Sequence, residues 1–266
     1  MAADAARFLE EGVARFEGGD LDGAIAAWTQ AVGIDPTLAD AWFDLGTAYA
    51  DIRDFEESVR CYRTAVELEP NVHQAWYNLG FACAERGDRV AAAEAYHRAA
   101  EIDAGDYKTW YNLGNAYLDL GRLGDAVTAY RTALDHNDGD DEVWNNLGNV
   151  LVQLERGDEA DRCFRRALAL NPDYDLSWNN LGNVLEESGA LTEAQRAYEK
   201  AVELVPDSAT YRLNLASALA RLGQADRAVE HLTRAVEIAP KIRSLLPGFA
   251  EFAALLNQSR LLMDDD

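Results

Sequence analysis

Trp178-Asn179-Asn180-Leu181-Gly182-Asn183-Val184-Leu185 copies, letter for letter, Trp144-Asn145-Asn146-Leu147-Gly148-Asn149-Val150-Leu151, 34 residues earlier. The same step backwards meets Trp110-Tyr111-Asn112-Leu113-Gly114, then Trp76-Tyr77-Asn78-Leu79-Gly80, then Trp42-Phe43-Asp44-Leu45-Gly46. Five tryptophans at one period mark a stacked repeat, in which each unit buries its apolar face against its neighbours.

Placing each Trp at position four of a 34-residue unit gives repeats 39–72, 73–106, 107–140, 141–174 and 175–208. The frame extends to 5–38, which keeps Gly12, Gly19, Trp28 and Pro36, and to 209–242, which places Arg212 at the Trp position. Seven units result. Within each, positions 4, 7, 8 and 11 carry Trp, Leu, Gly and Tyr or Leu, a helical stripe at i, i+3, i+4 and i+7. Glycine inside that helix costs about 1 kcal/mol of propensity, which close approach of a second helix would repay. Position 15 is Gly19, Gly87, Gly121, Gly189 and Gly223, a turn; position 24 is aromatic in the second helix (Tyr62, Tyr96, Tyr130, Phe164, Tyr198). Pro36, Pro70, Pro172, Pro206 and Pro240 then stop the second helix.

This pattern resembles the tetratricopeptide repeat (TPR) family over about residues 5–242. The resemblance implies an all-α, right-handed superhelical solenoid of seven helix-turn-helix repeats. Glu155 and Gly157 depart from the pattern at the fifth turn, and Ala104 and Asp138 replace the closing proline. Residues 243–266 read as a capping helix, starting near Pro247 and holding Phe249, Phe252, Leu255 and Leu256 on one side, followed by the acidic tail Asp264–Asp266.

Composition restricts function. The net charge is −23, which repels phosphate backbones and anionic lipid, so nucleic-acid and membrane-surface roles are not expected. Arginine outnumbers lysine heavily: Lys108, Lys200 and Lys241 are the only lysines. Such a surface suits concentrated salt or reflects a GC-rich genome. No apolar run approaches the ~20 residues of a membrane span, and the first residues lack a secretory pattern, which gives a cytoplasmic expectation. Cys61, Cys83 and Cys163 stand alone at apolar positions and read as reduced packing residues.

A second column of residues shares the first-helix face. Position 6 is Asp44, Asn78, Asn112, Asn146, Asn180 and Asn214; position 9 is Thr47, Phe81, Asn115, Asn149, Asn183 and Ser217. On a wheel of 100° per residue both point away from the Trp-Leu-Gly stripe. Asparagine is a mediocre helix former, so its recurrence implies a use. An amide both donates and accepts, matching the N–H and C=O of an extended chain. Alternatively the asparagines bond one another or water between neighbouring helices. The column is similar to the asparagine stripe in the TPR superhelix of O-linked N-acetylglucosamine transferases, which holds substrate peptide; no counterpart of their catalytic domain is present.

Tyr77 and Tyr111 would add aromatic walls, Lys108 a lone cation, and Asp44, Asp51, Glu85, Asp119, Glu142, Glu186 and Glu187 an acidic rim that favours a basic peptide. The acid-dense turn 135–142 lacks the calcium-loop spacing and reads as a solvated joint. Four scattered histidines and the absence of a nucleophile, base or phosphate loop imply no enzyme and no cofactor. The expectation is a scaffold or adaptor holding an extended peptide in its concave groove, with a self-assembling homo-oligomer as the competing class.

Overall fold

The computed structural model describes residues 2–244, 246 and 252. Among these the fold is all-α, with fourteen α-helices and a short 3₁₀ turn at Pro240–Ser244. It is built from two compact units, residues 1–138 and 139–266. The first pairs α1 (Ala2–Glu17) with α2 (Leu21–Ile34), α3 (Ala39–Asp51) with α4 (Phe55–Leu68), α5 (His73–Arg86) with α6 (Arg89–Ile102), and α7 (Tyr107–Asp119) with α8 (Leu123–His136). The second pairs α9 (Asp141–Gln153) with α10 (Gly157–Leu170), α11 (Asp175–Glu187) with α12 (Leu191–Leu204), and α13 (Ala209–Arg221) with α14 (Ala225–Ile238). Inside each unit every pair also packs on the next, as stacked helix-turn-helix repeats require. No helix among the described residues is long and apolar enough to cross a membrane.

The position-8 glycines explain how closely paired helices approach. A Cβ on Gly148 would lie 2.6 Å from Cε1 of Phe164, and one on Gly114 would lie 2.6 Å from Tyr130. Gly46 and Gly80 face Tyr62 and Tyr96 in the same way at 2.8 Å. Each ring of the second helix therefore lies flat on the missing side chain of the first. The last repeat changes both partners together, to Ala216 and Leu232, and both stay fully buried.

The position-15 turn needs a left-handed backbone. Gly19, Gly87, Gly121, Gly189 and Gly223 take φ between 70° and 86°, and Arg53 (63°) and Glu155 (58°) complete the set without glycine. Glu155 is the departure visible in the sequence; Arg53 carries the same strain without a sequence signal. After several of these turns an acid caps the second helix: Asp20, Asp54 and Asp88 accept from the N–H of Gly23, Glu57 and Ala91.

The tryptophans join successive repeats. Nε1 of Trp42, Trp76 and Trp110 donates to the carbonyl oxygen of Pro36, Pro70 and Ala104 at 2.9, 2.8 and 2.9 Å. In the second unit Trp178 reaches Pro172 at 2.8 Å, and Arg212 Nε reaches Pro206 at 2.7 Å. The two departures Ala104 and Arg212 thus preserve the bond, because its acceptor is main chain and its donor needs only a correctly placed N–H.

Cys61, Cys83 and Cys163 are free and buried, and burial pushes the Cys61 thiol up to about 11. The expected capping helix lies outside the described residues, apart from Leu246 and Phe252, both fully buried. In the acid-dense turn, Asp140 caps α9 by accepting from the N–H of Glu142 and Val143, and Asp141 accepts from Asn171 Nδ2 at 2.8 Å. Among the described residues no group of three or more His, Cys, Asp or Glu could hold a metal ion.

Candidate functional site

The asparagine column occupies the first-helix face of each unit, and every member is partly buried. In the second unit the amides connect neighbouring repeats. Asn180 Nδ2 donates to Asn145 Oδ1 at 3.3 Å and to Asn149 Oδ1 at 2.9 Å. One repeat on, Asn214 Nδ2 donates to Asn179 Oδ1 at 2.8 Å and to Asn183 Oδ1 at 3.4 Å. Position 6 of one repeat thus holds positions 5 and 9 of the repeat before it. Both amide hydrogens are used, and the Oδ1 atoms of Asn180 and Asn214 remain as acceptors. Asn146 Oδ1 accepts from Asn145 Nδ2 at 3.3 Å, and buried Ser177 donates to Asn145 Oδ1 at 2.9 Å.

The second-helix tyrosines enter the same network. Tyr130 donates to Asn115 Oδ1 at 2.6 Å and Tyr198 to Asn183 Oδ1 at 2.8 Å. Burial, followed by the nearby charge of Glu186, raises the Tyr198 hydroxyl well above the phenol range, so it acts as a fixed donor. Glu186 shares the single Tyr198 hydroxyl hydrogen with Asn183 (2.9 Å to its Oε2) and accepts from Ser217 (2.9 Å) and Arg221 (2.9 Å). This member of the acidic rim is part of the brace.

The first unit is less regular. Asn78 Nδ2 donates to Tyr62 Oη at 3.2 Å and its Oδ1 accepts from Gln74 at 2.8 Å. Tyr62 Oη also pairs with Thr47 at 2.9 Å. Asn112 Nδ2 donates to Tyr77 Oη at 2.9 Å. Position 9 of that preceding repeat is Phe81, which has no acceptor, and the phenyl ring is 44% exposed. At the start of the column stands Asp44, where positions 5 and 9 of the repeat before are Leu9 and Val13. It makes no hydrogen bond or ion pair among the described residues. Burial, and secondarily the charge of Asp40, pushes its carboxyl up to about 6.

Tyr77 and Tyr111 are half-buried, packed on Tyr96 and Tyr130 with ring centroids 5.7 and 6.1 Å apart. Lys108 is exposed at the rim of a depression of about 470 Å³ with His73, Gln74, Tyr77 and Asp106. His73 Nε2 lies 2.9 Å from Thr109 Oγ1, which donates to Asp106 at 2.6 Å. The position-5 residues Asn145 and Asn179 and the tyrosine hydroxyls of position 24 were not singled out by the face analysis of the sequence. The doubled Asn of the Trp-Asn-Asn copies was the available signal.

Helix pairs with a Trp tether, a glycine under each ring and a left-handed turn at one period define a tetratricopeptide array. The chain belongs to the family described as the cilia and flagella-associated protein 70 C-terminal domain, whose sequence pattern matches residues 40–245. A pattern described as TPR repeat also matches residues 12–52. No curated protein matches the chain. Among solved structures, the MamA protein is similar at 25% identity over 65% of this chain and 94% of that one, with a TM-score of 0.62. YrrB, described as a TPR protein with an unusual peptide-binding site, is 24% identical over 68% of this chain and 94% of its own, with a TM-score of 0.61. The C-terminal part of a TPR repeat-containing protein from Cytophaga hutchinsonii covers 93% of this chain and 99% of its own, at 16% identity and a TM-score of 0.70.

Proposed function

We propose that the protein is a non-catalytic interaction scaffold that holds an extended segment of a partner protein along the first-helix face. The observation that carries this reading is the recurrence of partly exposed amide side chains on the first helices of the third to seventh repeats, which keeps polar atoms for a ligand. Asn112 donates once, to Tyr77, and keeps an amide hydrogen and its carbonyl oxygen, the pair that matches the C=O and N–H of a peptide main chain. The fold agrees with this use, since stacked repeats present long continuous surfaces and YrrB carries a peptide-binding site on a fold of the same kind. No residue cluster in the network couples a nucleophile to a base.

Selection of random linear peptides displayed on phage against the full chain tests the proposal. Enriched peptides, resynthesised with a fluorescent label, should bind saturably at one site by anisotropy. A selection that enriches no linear peptide would overturn it.

A further inference from the structure

The asparagine-rich second unit is the obvious place to seat a ligand, and its geometry argues against that. Asn180 and Asn214 have both amide hydrogens engaged within the protein. The column breaks in the first unit, at the step from the third to the fourth repeat. There Asn112 donates once, to Tyr77, and makes no other hydrogen bond among the described residues. One amide hydrogen and the carbonyl oxygen of Asn112 are left, the pair needed to bond the C=O and N–H of a peptide unit. The residue that should have taken the second hydrogen is Phe81, an exposed ring set edge-on to Phe55 at 6.3 Å.

Acidic residues predominate on the first helices of these repeats. At positions 2, 6 and 13 of the second to fourth repeats, Asp40, Asp44, Asp51, Glu85 and Asp119 are opposed by Lys108. Glu85 follows Phe81 by four residues and so shares its side of α5. The protein itself shows how a guanidinium is held here: Arg53 stands 5.6 Å over Phe55 and 3.3 Å from Glu85. That pair is exposed at the arginine end (76%), so a ligand cation can displace it at little cost.

We propose that the first unit holds the recognition site, at Phe81, Glu85 and Asn112, and that it takes an extended segment carrying an arginine or lysine. The ligand's cation lies over the Phe81 ring beside Glu85, and the adjoining peptide unit bonds Asn112. The amides of the second unit serve as a brace between repeats. This inference rests on the scaffold reading above.

The test uses the labelled peptides from the phage selection on full-length variants. Phe81→Asn rebuilds the column as it stands in the fifth and sixth repeats. It should leave the melting temperature equal or higher and weaken peptide binding about tenfold or more. Asn112→Ala should also lose binding, whereas Asn180→Ala with Asn214→Ala should melt earlier and, while folded, bind as wild type. Enriched peptides should carry basic residues, and their affinity should fall as salt rises. The inference is overturned if Phe81→Asn binds as tightly as wild type, if the enriched peptides lack basic residues, or if binding is lost in the second-unit variant while folded. Each of those results still leaves a peptide-binding scaffold; failure to enrich any peptide removes the scaffold reading instead.

Discussion

Gly148 and Phe164 offer a double-mutant cycle in which the protein supplies its own control. A methyl group on Gly148 would stand 2.6, 2.8 and 3.0 Å from three carbons of the Phe164 ring, the first two being distances that real Cβ atoms essentially never show. The ring is fully buried and has no flexible end to swing aside. Contacts this short against a rigid ring place the cost at the upper end of overpacking, about 2–3 kcal/mol, and the alanine returns about 1 kcal/mol of helix propensity. Gly148→Ala should therefore destabilise by about 1–2 kcal/mol. Phe164→Leu alone removes ring volume beside a residue without a side chain and should cost about 1–2 kcal/mol. Independent effects would sum to about 2–4 kcal/mol. The combined variant, however, recreates the Ala216–Leu232 pair of the last repeat, both of whose members are fully buried. It should lie within about 1 kcal/mol of wild type, a favourable coupling of at least about 1 kcal/mol. Urea denaturation of the four proteins, with midpoints compared at a common slope, measures it. A neutral Gly148→Ala, or a double variant equal to the sum of the singles, would refute the ring-on-glycine account.

The turn positions give a reciprocal pair: Glu155→Gly should stabilise by about 0.5–1 kcal/mol, the relief of left-handed strain less the added chain entropy, and Gly189→Ala should destabilise by about 1 kcal/mol. Equal denaturation midpoints in both variants would show that the turn tolerates a side chain. Asp44 gives a pH dependence. Its carboxyl is raised in the folded state to about 6 from an ordinary value of 3.8, so the folded protein binds the proton more tightly. Its contribution is therefore neutral below about pH 4 and increasingly unfavourable as pH rises through about 6. Asp44→Asn should match wild type near pH 4 and exceed it by about 1 kcal/mol near pH 7, allowing for partial screening by solvent. A stability difference that does not change between those two pH values would refute the unpaired-carboxylate reading.

The repeat was legible because its determinants are local and periodic: Trp, Gly and an aromatic ring recur at fixed spacing, and helix geometry converts that spacing into a packed stripe. Arg53 shows one limit, since nothing in an arginine announces a left-handed turn; only its place in the frame does. The asparagines show another. A wheel drawn for one helix places position 6 away from its own second helix, and it omits the first helix of the neighbouring repeat. That neighbour is what Asn180 and Asn214 hold, through position-5 and position-9 partners about 31 to 35 residues away. Glu186 is the same case: an exposed-looking acid whose partners come from α12 (Tyr198) and from α13 of the next repeat (Ser217 and Arg221).

The tryptophan tether ends on a main-chain oxygen, and this bears on how such a chain can be copied. A seam that grips a carbonyl is blind to the identity of the residue that owns it, so Ala104 serves Trp110 as Pro70 serves Trp76. The receiving end needs no partner mutation when a unit is duplicated or exchanged in frame. A new 34-residue module meets a compatible edge on both sides from its first generation, and its side chains are then at liberty to diverge.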